Sequence, residues 1–308
     1  MSHQTTSNIL MIRPANFGFN EETAENNSFQ TRAKILTPYE IKIRAQSEFD
    51  TMVLNLQTNG INVIVVDDTN TPIKPDAVFP NNWITFHEDG TVMTYPMFSP
   101  KRRLERRDDV ITQIKKDFTV TGTYRLEHFE EKDQILEGTG SMILDRVNKI
   151  CYACTSPRTD DNLLDIFCNL FGYEKAVFES VDTNGDDIYH TNVMMALGED
   201  FVVIGMDTVN NEEQKSMLLE NFKQTNKEVI EITFEQILSF AGNMLQVRND
   251  KDETFLVMSQ QAFESLTDEQ IQKIERYTNI LYSDIEAIET LGGGSARCMM
   301  AEVFLPKN

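Results

Sequence analysis

Length and composition identify this chain as a globular protein: 40% of its 308 residues are hydrophobic and 25% are charged, enough for a substantial core. Its 28 Lys and Arg face 49 Asp and Glu, a formal net charge of −21, so nucleic acids and anionic membranes are not expected partners. Residues 1–8 lack the apolar core of a signal peptide, and no apolar run approaches the roughly 18 residues that span a bilayer. A cytoplasmic protein is therefore expected.

The four cysteines predict free thiols rather than a disulfide framework, because they are few for this length and a reducing compartment is expected. They are Cys151, Cys154, Cys168 and Cys298. The first two have the spacing of a redox site or half a zinc site, but they fall in a strand-like run, where residues three apart point to opposite faces. No second pair completes a zinc set, so no metal is predicted.

In chain order, a strand at residues 8–12 comes first and a well-marked helix follows it. Thr37, Pro38 and Glu40 place an N-cap hydroxyl, a proline at the first helical position and the acid of a capping box in register. A second strand is predicted at residues 61–66. The apolar residues of the helix recur on one face: Ile41, Ala45, Phe49, Met52, Val53 and Leu56.

Hairpins and helices then alternate along the rest of the chain. Each hairpin combines two apolar strands with a polar turn between them. Four hairpins are predicted, at residues 83–95, 141–154, 192–206 and 244–258. The helices that follow them are predicted at residues 100–117, from Ser156-Pro157 to residue 170, at 211–224 and at 267–277. A fifth hairpin begins at Cys298.

The hairpins recur with a fixed period. Their heading residues lie 55, 53, 53 and 55 positions apart, and a period near 54 indicates a repeat architecture in which no unit buries its apolar face alone. Five units can close into a ring, which removes exposed sheet edges. Because the last unit begins so near the C-terminus, the strand at 8–12 is expected to complete it. The heading residues are Asn82, Glu137, His190, Asn243 and Cys298.

Equivalent positions in a closed ring point towards a shared axis, so Glu137, His190 and Cys298 are expected to meet in one pocket. Cys298 follows three glycines, 292–294, whose backbone can approach a ligand closely; the structural alternative is a turn that ends in a buried cysteine. A thiolate beside an imidazole is a nucleophile, and a carboxylate accepts from N–H groups. The set favours attack by Cys298 on a guanidinium or ureido carbon, with His190 moving protons and Glu137 holding N–H groups.

Three motifs, in this order and spacing, resemble the guanidino-group-modifying superfamily of arginine deiminases, dimethylarginine hydrolases and amidinotransferases. They are residues 136–140 (Leu-Glu-Gly-Thr-Gly), 190–192 (His-Thr-Asn) and 292–299 (Gly-Gly-Gly-Ser-Ala-Arg-Cys-Met). The resemblance covers nearly the whole chain and implies a single α/β domain over residues 1–308, a five-bladed α/β propeller. It also implies a Cys-His-Glu centre, a covalent thiol intermediate, and neither a metal nor an organic cofactor.

Two departures from the arginine deiminases concern the substrate. Asn82 ends a Phe-Pro-Asn-Asn segment where that family has an aspartate, and Asn192 replaces the aspartate two residues after the histidine. Those aspartates grip a cationic guanidinium in the family, and a desolvated cation without counter-charge is costly to bind. A neutral ureido group suits amides better. The Phe-Pro-Asn-Asn and His-Thr-Asn-Val-Met-Met segments most resemble the citrulline-utilisation hydrolase branch. That resemblance implies release of ornithine, ammonia and carbon dioxide from citrulline.

The resemblance extends to two further residues and leaves the role of each open. Arg158, in Ser-Pro-Arg-Thr, matches an arginine that binds the substrate α-carboxylate; the alternative is a helix-start arginine in a surface ion pair. Asp76 matches a position near the amino-acid end and could bind an α-ammonium, whereas a surface loop acid would do nothing. Asn243 is expected only to shape a strand start, and residues 15–32 are a lid candidate by length and position.

Other functions stay open from the sequence. Within the same chemistry, the substrate could be arginine or a methylated arginine, or the amidino group could be transferred to an amine instead of to water. A different class is a binding scaffold with an inert thiol, because a fold does not fix a function. The expected partner is a small molecule, citrulline or an arginine derivative, with no nucleic acid and no membrane. Homo-oligomerisation stays open.

Overall fold

The computed structural model describes residues 3–24 and 37–308. Its strands form five sheets of three strands each. In chain order the strands are β1 (Asn8–Arg13), β2 (Asn62–Asp67), β3 (Ile84–Phe86), β4 (Thr91–Thr94), β5 (Gly122–Arg125), β6 (Ile143–Asp145), β7 (Ile150–Cys154), β8 (Glu174–Phe178), β9 (Met195–Leu197), β10 (Phe201–Ile204), β11 (Glu228–Glu231), β12 (Leu245–Arg248), β13 (Thr254–Ser259), β14 (Asn279–Ser283) and β15 (Ala301–Glu302).

Helices connect the strands, and several of them are a single turn long. The α-helices are α1 (Glu21–Ala24), α2 (Pro38–Thr58), α3 (Pro100–Arg103), α4 (Asp108–Ile114), α5 (Gly138–Ser141), α6 (Asp161–Phe171), α7 (Thr191–Met194), α8 (Glu212–Gln224), α9 (Phe234–Leu238), α10 (Gln260–Ser265), α11 (Asp268–Glu275) and α12 (Glu286–Gly292). Short 3-10 helices lie at Pro80–Asn82, Glu127–Lys132 and Met206–Thr208.

All five sheets have the same topology. A central strand pairs antiparallel with its hairpin partner and parallel with a strand that returns after a helix, in the orders β3-β4-β5, β6-β7-β8, β9-β10-β11 and β12-β13-β14. The fifth sheet has the order β15-β1-β2, so both ends of the chain build it together. The prediction of five hairpin units completed by the N-terminal strand is confirmed, and the fold is a five-bladed α/β propeller.

α2 forms where the sequence predicts it. The Thr37 side chain accepts from the Glu40 backbone N–H, and the Glu40 side chain accepts from the Thr37 N–H, which completes the capping box. The predicted apolar stripe is the set of buried residues of this helix. Capping boxes also begin α9 at Thr233 and α11 at Thr267. These local sequence signals predict the helix correctly because the cap and the burial of the apolar face favour the same helix boundaries.

Apolar side chains fill the spaces between neighbouring sheets. One continuous cluster joins the three sheets that contain β7, β10 and β13, and its largest members include Phe178, Phe201 and Phe222, all fully buried. Other clusters pack α2 against β1 and β2, and α4 against the sheet that contains β3. Each sheet therefore depends on its neighbours for a buried face, as a repeat architecture requires.

Two predicted helices differ from the structure. The helix predicted at 100–117 is interrupted between α3 and α4, because Arg107 has an extended backbone and its Nη1 donates to the Asp67 carbonyl at 2.9 Å. The helix predicted from Ser156-Pro157 begins instead at α6 with Asp160 as N-cap. The Ser156 hydroxyl donates to the Tyr189 carbonyl at 2.8 Å instead of capping a helix. In both places a tertiary contact replaces the local helical bond.

Short helical turns precede the hairpins, which the sequence did not show. The strands predicted to start at residues 141 and 192 begin only at Ile143 and Met195, since α5 and α7 occupy the residues before them. A 3-10 turn ends at Asn82 before β3 in the same way. These turns matter because the heading residues Glu137 and His190 are their N-cap residues.

Some predictions concern parts of the chain that the structure covers incompletely. The lid candidate, residues 15–32, lies outside the described residues from position 25 onwards. In the stretches 3–24 and 37–308, no helix has both the length and the apolar character needed to cross a bilayer. The prediction that residues 1–308 make one domain stays a prediction.

The central position of β1 in the fifth sheet yields a test of ring closure. Leu10 is fully buried in β1, so Leu10→Ala should lower the free energy of unfolding by about 3 kcal/mol through lost burial and a residual cavity. Ile43→Ala on the outer face of α2, where Ile43 is 46% exposed, should change it by less than about 0.5 kcal/mol. Urea denaturation followed by circular dichroism measures both, and equal effects would contradict the role given to β1.

Candidate active site

The five heading residues occupy equivalent places in the fold, at the turn before the first strand of each hairpin. All five side chains are buried although four are polar and one is a thiol: Asn82, Glu137, His190, Asn243 and Cys298. Burial of so many polar groups at one set of repeat positions requires hydrogen-bond partners for them. The structure shows how far this is so.

One small cavity collects these residues. Asn82, His190 and Cys298 line it together with Asp76 and Arg158. Its free space is about 20 Å³, room for about one water molecule. Side chains from three different repeats therefore meet at one point, and residues 292–294 form part of the same wall.

Cys298 receives two hydrogen bonds from amide groups. Nδ2 of Asn192 lies 3.4 Å from Sγ, and Nδ2 of Asn243 lies 3.3 Å from it. Donors of this kind solvate an electron-rich sulfur. Asn243 also donates to the Asn192 carbonyl at 2.9 Å, which ties the two amides together. The expectation that Asn243 only shapes a strand start missed this contact, although its place in the repeat register was the available signal.

His190 and Glu137 form a buried pair. His190 Nε2 lies 2.8 Å from Glu137 Oε2, and the other carboxylate oxygen accepts from the Phe98 backbone N–H at 2.9 Å. Arg158 Nη1 adds a third donor at 3.4 Å. Because an ionised carboxylate only accepts hydrogen bonds, Nε2 must carry the ring proton. His190 therefore keeps its lone pair on Nδ1.

The charges around this pair fix its protonation. Burial raises the pKa of Glu137, but Arg158, the hydrogen bond from His190 and Arg102 outweigh burial and hold that pKa well below its usual range. Burial lowers the pKa of His190 to about 4, although Glu137 acts in the opposite direction. At neutral pH the pair is thus a carboxylate and a neutral imidazole, and the imidazole can take up a proton.

Two glycines of the Leu-Glu-Gly-Thr-Gly segment make room for the pair. Gly138 has φ +48° and an added Cβ would lie 2.4 Å from the Asn81 carbonyl oxygen. An added Cβ at Gly140 would lie 2.4 Å from Asn82 Nδ2 and 2.8 Å from His190 Nδ1. Any side chain at Gly140 would displace one of these groups. Neighbouring atoms therefore lie too close to both positions for any residue larger than glycine.

The glycine-rich segment is held from two sides. Gly293 ends α12 with φ +64°, and its carbonyl accepts from the Tyr189 hydroxyl at 2.9 Å. Ser295 donates to the buried Glu289 at 2.6 Å. Cys298 lies in the turn that follows, where its N–H donates to the Ser295 carbonyl at 3.0 Å. The loop that carries the thiol is therefore held both by neighbouring side chains and by a bond within its own backbone.

Arg158 and Asp76 are not surface residues, so the surface alternatives for both are wrong. Arg158 is 2% exposed, contacts Glu137 and lies with its guanidinium carbon 4.7 Å from the centre of the Tyr189 ring. Asp76 is also 2% exposed and its Oδ2 accepts from Asn20 Nδ2 at 2.7 Å. Both line the cavity.

The described part of the lid candidate contributes one residue to the cavity wall. Thr23 lines it, and the Thr23 carbonyl accepts from Arg158 Nη2 at 3.4 Å. Glu22 binds the Ser99 hydroxyl at 2.6 Å and the Lys101 backbone N–H at 3.0 Å. Among the residues described, no group of three His, Cys, Asp or Glu side chains is placed to hold a metal ion.

Comparison with known sequences gives the family. The family model described as N,N dimethylarginine dimethylhydrolase, eukaryotic, matches residues 13–305. The chain belongs to this family. Membership confirms the resemblance to the guanidino-group-modifying superfamily. No curated protein sequence is similar enough to match.

Solved structures share the fold at low sequence identity. Apo ArgZ, an arginine dihydrolase from the ornithine-ammonia cycle in Cyanobacteria, has a TM-score of 0.75 at 16% identity; the match covers 97% of this chain and 41% of that one. Its N-terminal domain bound to substrate matches over 98% of its length, with a TM-score of 0.75 at 15% identity. A dimethylarginine dimethylaminohydrolase adduct with S-methyl-L-thiocitrulline has a TM-score of 0.66 at 15% identity, covering 97% of this chain and 99% of that one. The chain thus spans under half of full-length ArgZ and all but 2% of its N-terminal domain.

The surroundings of the four thiols predict selective alkylation. Cys298 lines the cavity and receives two N–H donors, whereas Cys154 is fully buried and burial raises its pKa to about 12. At pH 7.5, iodoacetamide should therefore label Cys298 at least about 10-fold faster than Cys154, as read by peptide mass spectrometry. Asn243→Ala removes one donor and should slow the labelling of Cys298. Equal rates at both cysteines would support an inert thiol.

Glu289 predicts a pH-dependent stability term. Burial raises its pKa to about 7, although hydrogen bonds from Ser259 and Ser295 lower it. The folded state then binds more protons than the unfolded state between about pH 4.5 and 7, so this term loses stability as pH rises through that window. Relative to Glu289→Gln, the wild type should lose about 2–3 kcal/mol from pH 4.5 to 7. Urea denaturation at several pH values measures this; the exposed Glu286→Gln is the control, and parallel curves for wild type and Glu289→Gln would contradict it.

Proposed function

We propose that this chain hydrolyses the ureido group of citrulline through a covalent intermediate on Cys298, releasing ornithine, ammonia and carbon dioxide. The family supports hydrolysis of a guanidino C–N bond. The choice of a ureido substrate is made from the charges around the thiol.

The observation that carries this choice is that, among the described residues, the groups that contact the Cys298 sulfur are uncharged. Asp76, the cavity-lining carboxylate with an unpartnered oxygen, is assigned to the α-ammonium group of the substrate. The groups that donate to its sulfur are the neutral amides of Asn192 and Asn243. The nearby carboxylate of Glu137 is already matched by Arg158 and bonded to His190. A guanidinium buried against the sulfur would bring a positive charge into contact with neutral amides rather than with a carboxylate. A neutral ureido group meets no such penalty.

The reaction follows from the positions of the three side chains. Cys298 Sγ bonds to the ureido carbon while Nδ1 of His190 takes up the thiol proton. One C–N bond then breaks, and the departing nitrogen takes that proton. Water then gives a proton to Nδ1 of His190 and displaces the sulfur. The product is a carbamate, which loses carbon dioxide. Either C–N bond can break first, since both orders give the same products. Glu137 keeps the imidazole oriented and its Nε2 protonated.

The amino-acid end of the substrate would lie against Arg158 and Asp76. Asp76 Oδ1 is buried with no hydrogen-bond partner among the described side chains and backbone, so an α-ammonium group would supply one. Arg158 has five N–H donors, so it can keep its contact with Glu137 while it binds an α-carboxylate. Asn82 and Asn192 would then flank the reacting group. Asn192 Oδ1 is a buried acceptor without a partner among the described residues and could receive a ureido N–H.

A guanidino substrate is the second candidate, and the comparisons favour it. The name of the matching family refers to dimethylarginine, and ArgZ is an arginine dihydrolase. Arginine and its methylated forms would use the same thiol chemistry, with Asn82 and Asn192 as neutral contacts. The two candidates differ in whether the bound group is charged.

The rest of the proposal concerns the setting of the reaction. The chain would act as one propeller domain in the cytoplasm on a small molecule, with no metal or organic cofactor and without nucleic acid or membrane partners. The formal charge of −21 supports the exclusion of anionic partners.

A substrate panel tests the proposal. The wild type should form ornithine from citrulline, with little or no product from arginine, dimethylarginine or agmatine, as measured by amino-acid analysis and ammonia release. Cys298→Ala should lose about 1000-fold or more of the activity, whereas the matched thiol variant Cys154→Ala should keep it. Citrulline formed from arginine or dimethylarginine would support the second candidate. Turnover of none of the four would support a scaffold.

A further inference from the structure

Arg102 lies directly behind Asn82, in the wall of the cavity. Its Nη1 donates to Asn82 Oδ1 at 2.8 Å, and its Nη2 donates to the Phe79 carbonyl at 3.2 Å. Arg102 is 3% exposed. In the sequence this residue falls in the helix predicted at 100–117, and no pattern there indicates a role for it.

Glu105 fixes the guanidinium of Arg102 in place. Nε of Arg102 donates to Oε1 at 3.0 Å and Nη2 donates to Oε2 at 2.9 Å, a two-point contact with both side chains buried. These bonds, together with those to Asn82 and Phe79, occupy four of the five N–H groups of an arginine. Most N–H groups of Arg102 are therefore bonded to other protein groups and not to a substrate.

This contact determines which way the Asn82 amide faces. A guanidinium only donates, so the amide must offer it the oxygen, and the NH₂ group must point the other way. Nδ2 of Asn82 is buried and has no hydrogen-bond partner among the described residues. Gly140 leaves the space next to it, since a Cβ there would lie 2.4 Å from Nδ2. An unpaired buried donor in the cavity wall requires an acceptor.

We propose that Arg102 is a positioning residue for substrate choice: it holds the Asn82 amide so that its N–H donor, and not its oxygen, faces the substrate. A ureido oxygen accepts from this donor, and the bond strengthens as charge builds on that oxygen during attack. A guanidinium has only N–H groups there and leaves the donor unpaired. Without Arg102 the amide can rotate and present its oxygen. This inference rests on the proposed function.

A double-mutant cycle tests the inference. The pair variant Arg102→Met/Glu105→Leu removes both buried charges together, which avoids leaving one of them unpaired. It is combined with Asn82→Ala, and kcat/KM is measured for citrulline and arginine in all four proteins. Arg103→Met is the matched control, because the half-buried Arg103 binds the Met97 carbonyl and Glu130. Circular dichroism and thermal unfolding confirm that each variant folds.

The expected result is a change in substrate preference that depends on Asn82. Loss of the pair should lower the citrulline-to-arginine ratio of kcat/KM at least about 10-fold. In the Asn82→Ala background, loss of the pair should change the ratio by less than about 2-fold. Arg103→Met should leave it unchanged. Equal losses for both substrates in both backgrounds would overturn the inference, because they would show a direct substrate contact or a purely structural role.

Failure of the proposed function is distinguishable from failure of this inference. A wild type that prefers arginine refutes citrulline hydrolysis, yet a ratio that changes with Arg102 only when Asn82 is present still supports the positioning role. If a variant turns over neither substrate, calorimetric dissociation constants for citrulline and arginine in the Cys298→Ala background supply the corresponding ratio for ground-state binding. If the citrulline-to-arginine ratio in that background does not change when Arg102 and Glu105 are replaced, the inference is overturned.

Discussion

Pairing of the two chain ends is the constraint on which the rest of this structure depends. β1 lies between β15 and β2, antiparallel to one and parallel to the other, so the first and last strands share a sheet. Each sheet is too small to bury its own faces, and closure gives every sheet two neighbours. The closed ring also sets the direction in which the five hairpin starts point. The cavity exists because those starts converge.

Burial of charge is the second constraint, and it shapes the chemistry of the cavity. Glu137 stays ionised in the interior because Arg158 and His190 match it, and burial keeps His190 neutral at physiological pH. Arg102 is matched by Glu105 in the same way. Since the carboxylates of Glu137 and Glu105 are already paired, the groups that contact the thiol are amides. Buried amides discriminate by the direction of their hydrogen bonds rather than by charge.

The heading position occurs once in each of the five repeats, and its residues make different contacts in the cavity. The position carries an amide that lines the cavity, a carboxylate, an imidazole, an amide that donates to sulfur, and the thiol: Asn82, Glu137, His190, Asn243 and Cys298. Structures with 15–17% identity keep the same fold. The architecture therefore tolerates replacement of most side chains, whereas the proposed reaction would depend on a few residues at one position of the repeat.

The sequence by itself determined the period, the five hairpins, the capped helix α2 and the heading residues, because turn residues, caps and apolar periodicity act over short distances. It did not show that Arg102 turns inward to Asn82, that Asn243 donates to Cys298, or that Arg158 is buried beside Glu137. Those contacts join residues 20 to 55 positions apart, and their partners are set only when the ring closes. A charged residue in a helical pattern looks the same whether it faces water or a buried partner. Only the tertiary structure decides which of the two it does.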